Sequence, residues 1–268
     1  MAKCFSFSAS RDSCYRYFFT KAGLKSSTTD LGDGTVMHCW VPKTHFPAKP
    51  SLLLIHGFGA NAMWQFNDFI PPLKSKFNLY VPDLLFFGDS YTNRPERTEA
   101  FQAQCIMALM DALNVKNMDL MGLSYGGFVA YSMAAQFKER VGRVVLGCAG
   151  VCLEEKDMEE GMFKVKTVDE AISILLPQSP RKGGTVKFPF GMYEFQLQNS
   201  LLNQGHIGEN AELVIIKNVG HALNAERPKE LYKHMKSFLI DTLPPSKQGK
   251  YTMVTKQIEM SASRERSF

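Results

Sequence analysis

The chain has 268 residues, 45% hydrophobic and 21% charged, which suits one globular domain with a sizeable core. Its net charge is +5, but no Lys/Arg cluster interleaves with aromatics, which argues against a nucleic-acid partner, and no run approaches the roughly 20 apolar residues of a membrane span. The six cysteines (Cys4, Cys14, Cys39, Cys105, Cys148 and Cys152) have neither metal-ligand nor disulfide spacing, and reduced thiols in a cytosolic protein are the simplest account.

Residues 1–30 read as an N-terminal extension. Its first 28 residues are Ser-rich and basic, with Asp12 the only acid. That composition permits a plastid or mitochondrial transit peptide, and equally an aromatic surface helix from Arg11 to Lys21 covering the domain edge. The expected location is cytoplasmic, with the plastid as the alternative. Val36 to Val41 alternates and predicts an early antiparallel strand. Ser51–Ile55, Leu79–Val81, Met118–Met121 and Val144–Cys148 are short apolar runs that suit a parallel sheet buried on both faces. Helical patterns lie between them: Ala62 to Phe77, interrupted at Pro71-Pro72, Thr98 to Leu113, and Ser124 to Phe137. Strand alternating with helix predicts right-handed βαβ crossovers. Ligands then bind at the carboxyl ends of the strands, where His56, Asp83, Ser124 and His221 fall.

Three segments carry chemistry. Gly122-Leu123-Ser124-Tyr125-Gly126-Gly127 is a G-x-S-x-G sequence with a strand before it and a helix after it. A serine at such a turn is held in a strained conformation, with its hydroxyl clear of the sheet at the positive end of the following helix. Leu52 to Ile55 ends in His56-Gly57-Phe58-Gly59, a loop able to donate a backbone N–H to an oxyanion. Leu213 to Ile216 is followed by Val219-Gly220-His221. Each has a plainer reading: a tight turn, a βα turn with glycines, and a structural histidine. Their order along the chain, nucleophile then histidine, favours the chemical one.

On these motifs the chain resembles the α/β-hydrolase superfamily, and is most similar to plant proteins of its small ester- and lactone-hydrolase branch. Val81-Pro82-Asp83-Leu84-Leu85-Phe86-Phe87-Gly88-Asp89-Ser90 is similar to the family's loop after the fourth strand. Val219-Gly220-His221-Ala222 through Glu226-Arg227-Pro228 is similar to its histidine loop and last helix. The resemblance covers roughly residues 30–176 and 206–240. It implies an α/β-hydrolase domain over 31–240, a mostly parallel sheet with helices on both faces and a cap remnant over 154–205; the polar composition of 241–268 predicts a disordered tail.

The family's triad acid follows the seventh strand, yet this chain has no Asp between Glu170 and Ile240. By resemblance most of the cap, the seventh strand and the acid loop are missing, which reads as an internal deletion. The last strand then either pairs with Val144–Cys148 or stands beside a gap. A shift of one strand position moves His221 by about 4.8 Å, against a hydrogen-bond reach of roughly 3 Å. Glu154, Glu155, Asp157 and Glu194 read as surface charges rather than as substitutes. His38, His45, His206 and His234 also read as surface residues. Asp83 reads as structural, and Phe58 and Trp64 as pocket-lining or core.

The resemblance implies a monomeric serine hydrolase acting on a carboxylic ester or related small acyl substrate. Ser124 is the nucleophile, His221 the general base and then acid, and the Phe58 and Tyr125 N–H groups hold the oxyanion. A serine at the elbow argues against the carboxylate-nucleophile chemistry of epoxide hydrolases and dehalogenases. Neither metal nor organic cofactor is implied. The alternative is a catalytically impaired homologue that binds a small ligand or an interaction partner.

Overall fold

A computed structural model describes residues 7–149, 151, 212–216, 222–241 and 253–257. Among the described residues nine strands form one sheet: β1 Leu24–Asp30, β2 Thr35–Pro42, β3 Ser51–Ile55, β4 Asn78–Pro82, β5 Tyr91–Thr92, β6 Met118–Leu123, β7 Val141–Gly147, β8 Glu212–Ile215 and β9 Met253–Gln257. Their spatial order is β1-β2-β4-β3-β6-β7-β9-β8, with the short β5 paired to β2. The first pairings are antiparallel, and every pairing from β4 to β8 is parallel. β3, β4 and β6 are buried at every residue, as an apolar run covered on both faces must be.

The helices are α1 Phe7–Lys21, α2 Ala62–Phe66, α3 Ile70–Leu73, α4 Glu99–Ala112, α5 Tyr125–Gln136, α6 Leu223–Glu226 and α7 Pro228–Leu239. α1, α2, α3 and α7 supply one core, in which Phe19, Phe66, Ile70, Leu231 and Phe238 meet Leu52, Leu54 and Val81. α4 and α5 supply the other, in which Ile106, Leu109, Val129 and Met133 meet Leu53, Ile55 and Leu120. Helices cover both faces of a mostly parallel sheet, as expected from the alternation of patterns.

Three expectations need correction. The helix expected from Ala62 to Phe77 is two short helices. Its break falls at Asn67–Phe69, and Pro71-Pro72 lie in the first turn of α3, where a missing N–H costs no intrahelical bond. Residues 7–30, set apart as an extension, carry α1, which contains the helix offered from Arg11 to Lys21, and also β1, and they bury Phe19 and Leu24 in the first core. The stretch 241–268, expected to be disordered, contributes β9. This strand lies between β7 and β8, pairing Val144 with Met253 and Ile215 with Gln257. β8 therefore neither pairs with β7 nor stands beside a gap. An open position in a parallel sheet leaves peptide groups unmet, and the backbone of Met253–Gln257 pairs on both sides of it. The expected cap remnant (154–205), with Glu154, Glu155, Asp157 and Glu194, lies outside the described residues.

Candidate active site

Ser124 joins β6 to α5 with φ 55° and ψ −123°, a left-handed conformation that a residue with a Cβ holds only when its surroundings force it. The surroundings are glycine-dependent. A Cβ on Gly122 would sit 2.1 Å from the Gly126 carbonyl oxygen, and one on Gly126 would sit 2.2 Å from the Ile55 carbonyl oxygen. β6, the start of α5 and the end of β3 thus pack backbone against backbone. The Ser124 N–H donates to the Gly147 carbonyl of β7 (2.8 Å), and the Gly127 N–H donates to the Ser124 carbonyl (2.9 Å).

The loop after β3 lies against this turn. A Cβ on Gly57 would be 2.9 Å from the Ser124 Cβ and 3.4 Å from its Oγ. Phe58 follows Gly57, and Tyr125 follows Ser124. The two residues whose N–H groups were assigned to the oxyanion therefore leave from adjoining backbone. Tyr125 is the first residue of α5, so its N–H is among those with no intrahelical acceptor. The Phe58 side chain is 75% exposed, and its ring meets Phe87 edge to face at 5.2 Å.

His56 fixes the loop from below. It is fully buried. Its Nε2 accepts the Leu84 N–H (2.9 Å), so Nδ1 carries the proton donated to the Gly57 carbonyl (2.8 Å). Burial lowers its pKa, outweighing the Gly57 carbonyl and the Asp83 charge, which act the other way. The imidazole is thus a neutral strut between two loops. Gln65 of α2, which sequence reasoning missed, fixes the loop from the side. Its Oε1 accepts the Gly57 N–H at 2.5 Å. Its backbone carbonyl accepts from Asn224 Nδ2 of α6 (3.2 Å).

His221 lies outside the described residues, which resume at Ala222. From there the chain is anchored: Leu223 is buried in the first core, and Asn224 is tied to Gln65. Trp64, weighed as pocket or core, is neither wholly. It is 40% exposed, its indole N–H donates to Asp12 of α1, and Arg11 stacks over its ring at 4.9 Å.

Asp83 is structural, as expected. Its carboxylate accepts the N–H groups of Ala62 (2.9 Å) and Asp89 (3.1 Å) and pairs with His38 Nδ1 (2.8 Å). Burial works to raise its pKa, but the His38 and backbone hydrogen bonds outweigh it, and the net shift is downward. His38 is a correction: expected at the surface, it is 2% exposed. α1 covers the face of β2 on which the neighbouring Trp40 packs with Phe19. His45 is exposed, as expected, and bonds the Tyr80 hydroxyl. His206 lies outside the described residues, and His234 is half-buried on α7.

A strained serine between a buried parallel strand and a helix, facing a His-Gly loop, defines a hydrolase-fold protein. The comparisons agree. Residues 50–168 match the family model described as the alpha/beta hydrolase fold. The chain is 33% identical over 138 residues to 2-hydroxymuconate semialdehyde hydrolase of Pseudomonas sp. (strain CF600), covering 48% of this chain and 42% of that one. It is 34% identical over 125 residues to a probable 1-acylglycerol-3-phosphate O-acyltransferase of Oryza sativa subsp. japonica, covering 44% and 30%. These matches span less than half the length of either curated relative. The solved carboxylesterase CesB from Bacillus subtilis shares the fold at a TM-score of 0.62 with 17% identity, covering 89% of this chain and 100% of that one. The chain has the α/β-hydrolase fold, and residues 50–168 carry the sequence pattern of that family. No helix among the described residues is long and apolar enough to cross a membrane.

Proposed function

We propose that the chain is a serine hydrolase acting on a carboxylic ester or related small acyl substrate. The observation that carries this reading is the strained Ser124 at the junction of β6 and α5, with the Gly57–Phe58 backbone packed against it. Ser124 Oγ attacks the acyl carbon and His221 takes its proton. The Phe58 and Tyr125 N–H groups receive the charge that develops on the carbonyl oxygen, and water releases the acyl-enzyme. The hydrolase and the acyltransferase named above support a hydrolase-type protein more strongly than any one substrate. The reaction needs a group to orient His221, and loss of that group alone costs a well-studied protease about four orders of magnitude in turnover. Slow turnover with full covalent labelling is therefore the expected behaviour.

A second reading is a catalytically impaired homologue that binds a small ligand. It is favoured by one observation, the absence of Asp between Glu170 and Ile240. A fluorophosphonate probe separates the two. Labelling of the wild type at Ser124, lost in Ser124→Ala, supports the hydrolase. A folded wild type that is not labelled at Ser124 supports the binding protein.

A further inference from the structure

Ser26, His38 and Asp83 form a second hydrogen-bonded serine–histidine–carboxylate relay, remote from the elbow. Ser26 Oγ lies 2.8 Å from His38 Nε2, and His38 Nδ1 lies 2.8 Å from Asp83 Oδ2. Ser26 is exposed on β1, whereas His38 and Asp83 are buried. β1 ends the sheet order four places from β6, so about 19 Å of sheet separates the two serines.

The relay is rigid. The Asp83 carboxylate is held by the Ala62 and Asp89 N–H groups. Ser90 Oγ accepts the His38 backbone N–H and donates to the Asp83 carbonyl. The Trp40 ring stands edge-on to the imidazole at 5.9 Å. A carboxylate fixed on Nδ1 selects the tautomer whose Nε2 is an acceptor. The Ser26 hydroxyl proton then points at a base.

One backbone donor, the outward N–H of Ser26 itself, is also available to a developing oxyanion. In the β1–β2 ladder the Leu31 N–H bonds the Thr35 carbonyl, and the Lys43 N–H bonds the Gly23 carbonyl. In the antiparallel register these are the positions that face β2. The alternate positions, Ser26 and Thr28, turn their N–H groups to the outer edge, where no strand among the described residues pairs with β1.

We propose that Ser26 is a second nucleophilic serine, activated by His38 and oriented through Asp83, that accepts acyl groups from small activated esters. Ser26 Oγ bonds to the acyl carbon, and the bond from that carbon to the leaving alkoxide or phenolate oxygen breaks. The hydroxyl proton passes to His38 Nε2 and on to the leaving oxygen. Water attack, with His38 again as base, returns the serine and a carboxylic acid. Among the described residues no strand covers the outer edge of β1, so reactivity rather than chain length selects the donor.

The test is independent of Ser124. The Ser124→Ala protein is incubated with p-nitrophenyl acetate, quenched, digested and mapped by tandem mass spectrometry, with the exposed Ser237 as internal reference. Acetylation at Ser26 about a hundred-fold faster than at Ser237 is expected from general-base assistance. It is expected to vanish from that position in Ser26→Ala/Ser124→Ala and to fall to the reference rate in His38→Gln/Ser124→Ala. Should His38→Gln fail to fold, the pH profile of Ser26 acetylation in Ser124→Ala decides: a rise through a single imidazole titration supports the relay, and the profile of an unassisted hydroxyl overturns it. Acetylation of Ser26 no faster than Ser237, with an unchanged far-ultraviolet circular-dichroism signal, also overturns it. A wild type acylated at Ser26 but not at Ser124 would refute the hydrolase reading and leave this one standing; the reverse pattern would do the opposite.

Discussion

The side-chain oxygen of Gln65 receives the backbone N–H of Gly57. The bond decides which peptide of the loop after β3 faces Ser124. With the Gly57 N–H turned toward α2, the next donor along the chain is that of Phe58. Because the Gln65 carbonyl also receives Asn224, one residue joins the loop after β3 to the segment that follows His221. Replacing Gln65 by Ala is expected to slow fluorophosphonate labelling of Ser124 by about ten-fold or more, since small displacements of positioning groups cost rate steeply. Stopped labelling time courses on the purified variant measure this. An unchanged rate would mean that His56 holds the loop alone.

The glycines around Ser124 give a graded prediction. Ala at Gly57 places a methyl 2.9 Å from the Ser124 Cβ, at a loop. Ala at Gly126 places one 2.2 Å from a carbonyl oxygen of β3, inside the sheet. The first substitution should impair labelling of Ser124 more than it impairs folding. The second should destabilise the fold by roughly 3 kcal/mol or more, because backbone must move to admit it. Thermal denaturation of the two variants side by side checks the order, and equal melting temperatures would contradict it.

Acid should weaken the protein through His56. Its folded pKa lies below its ordinary value of 6.5 because it is buried. Below pH 6.5 the unfolded chain binds a proton that the folded chain does not, so the stability present above that pH is lost as pH falls toward the folded pKa. Asp83, also depressed in the fold, acts in the same sense further down, below its ordinary 3.8. Urea midpoints measured from about pH 7.5 to about pH 5.5 should fall, and should fall less in His56→Asn. Parallel curves for the two proteins would count against the buried neutral imidazole.

Arg143 links the far end of α7 to the sheet. Its guanidinium pairs with Asp119 of β6 at 2.5 Å and donates to the Leu239 carbonyl at 2.7 Å. The carbonyls at a helix C-terminus have no intrahelical donor, so one cation serves two needs. Arg143→Ala should cost about 1–3 kcal/mol, and Arg143→Lys should recover only part because a single ammonium cannot span both acceptors in the same geometry. Chemical denaturation of the pair is the measurement. A full recovery by Lys would show that charge alone matters.

The parts of this molecule legible in the sequence are those fixed locally. Gly122 to Gly127 announces its turn because the chain there must pass close to itself whatever surrounds it. The runs in β3, β4, β6 and β7 announce burial on two faces. The structural role of Asp83 was expected from the family resemblance, not from its local sequence. What escaped depends on distant partners. His38 lies in a strand whose covered face is set by α1, from a segment that composition marked as separate. Gln65 gains its role from a loop eight residues earlier and a helix far downstream, and no spacing rule announces either. β9 comes from a polar stretch with little apolar content, and only the vacancy beside β8 gives it a place.

That placement has a timing consequence. β8 ends at Ile215 and β9 begins at Met253. At ordinary translation speeds β8 emerges roughly a few seconds before the strand that joins it to the sheet. For that interval the ribosome-bound chain carries an unzipped seam beside β7, and anything that occupies the seam first, whether a chaperone or a neighbouring nascent chain, competes with the protein's own later segment.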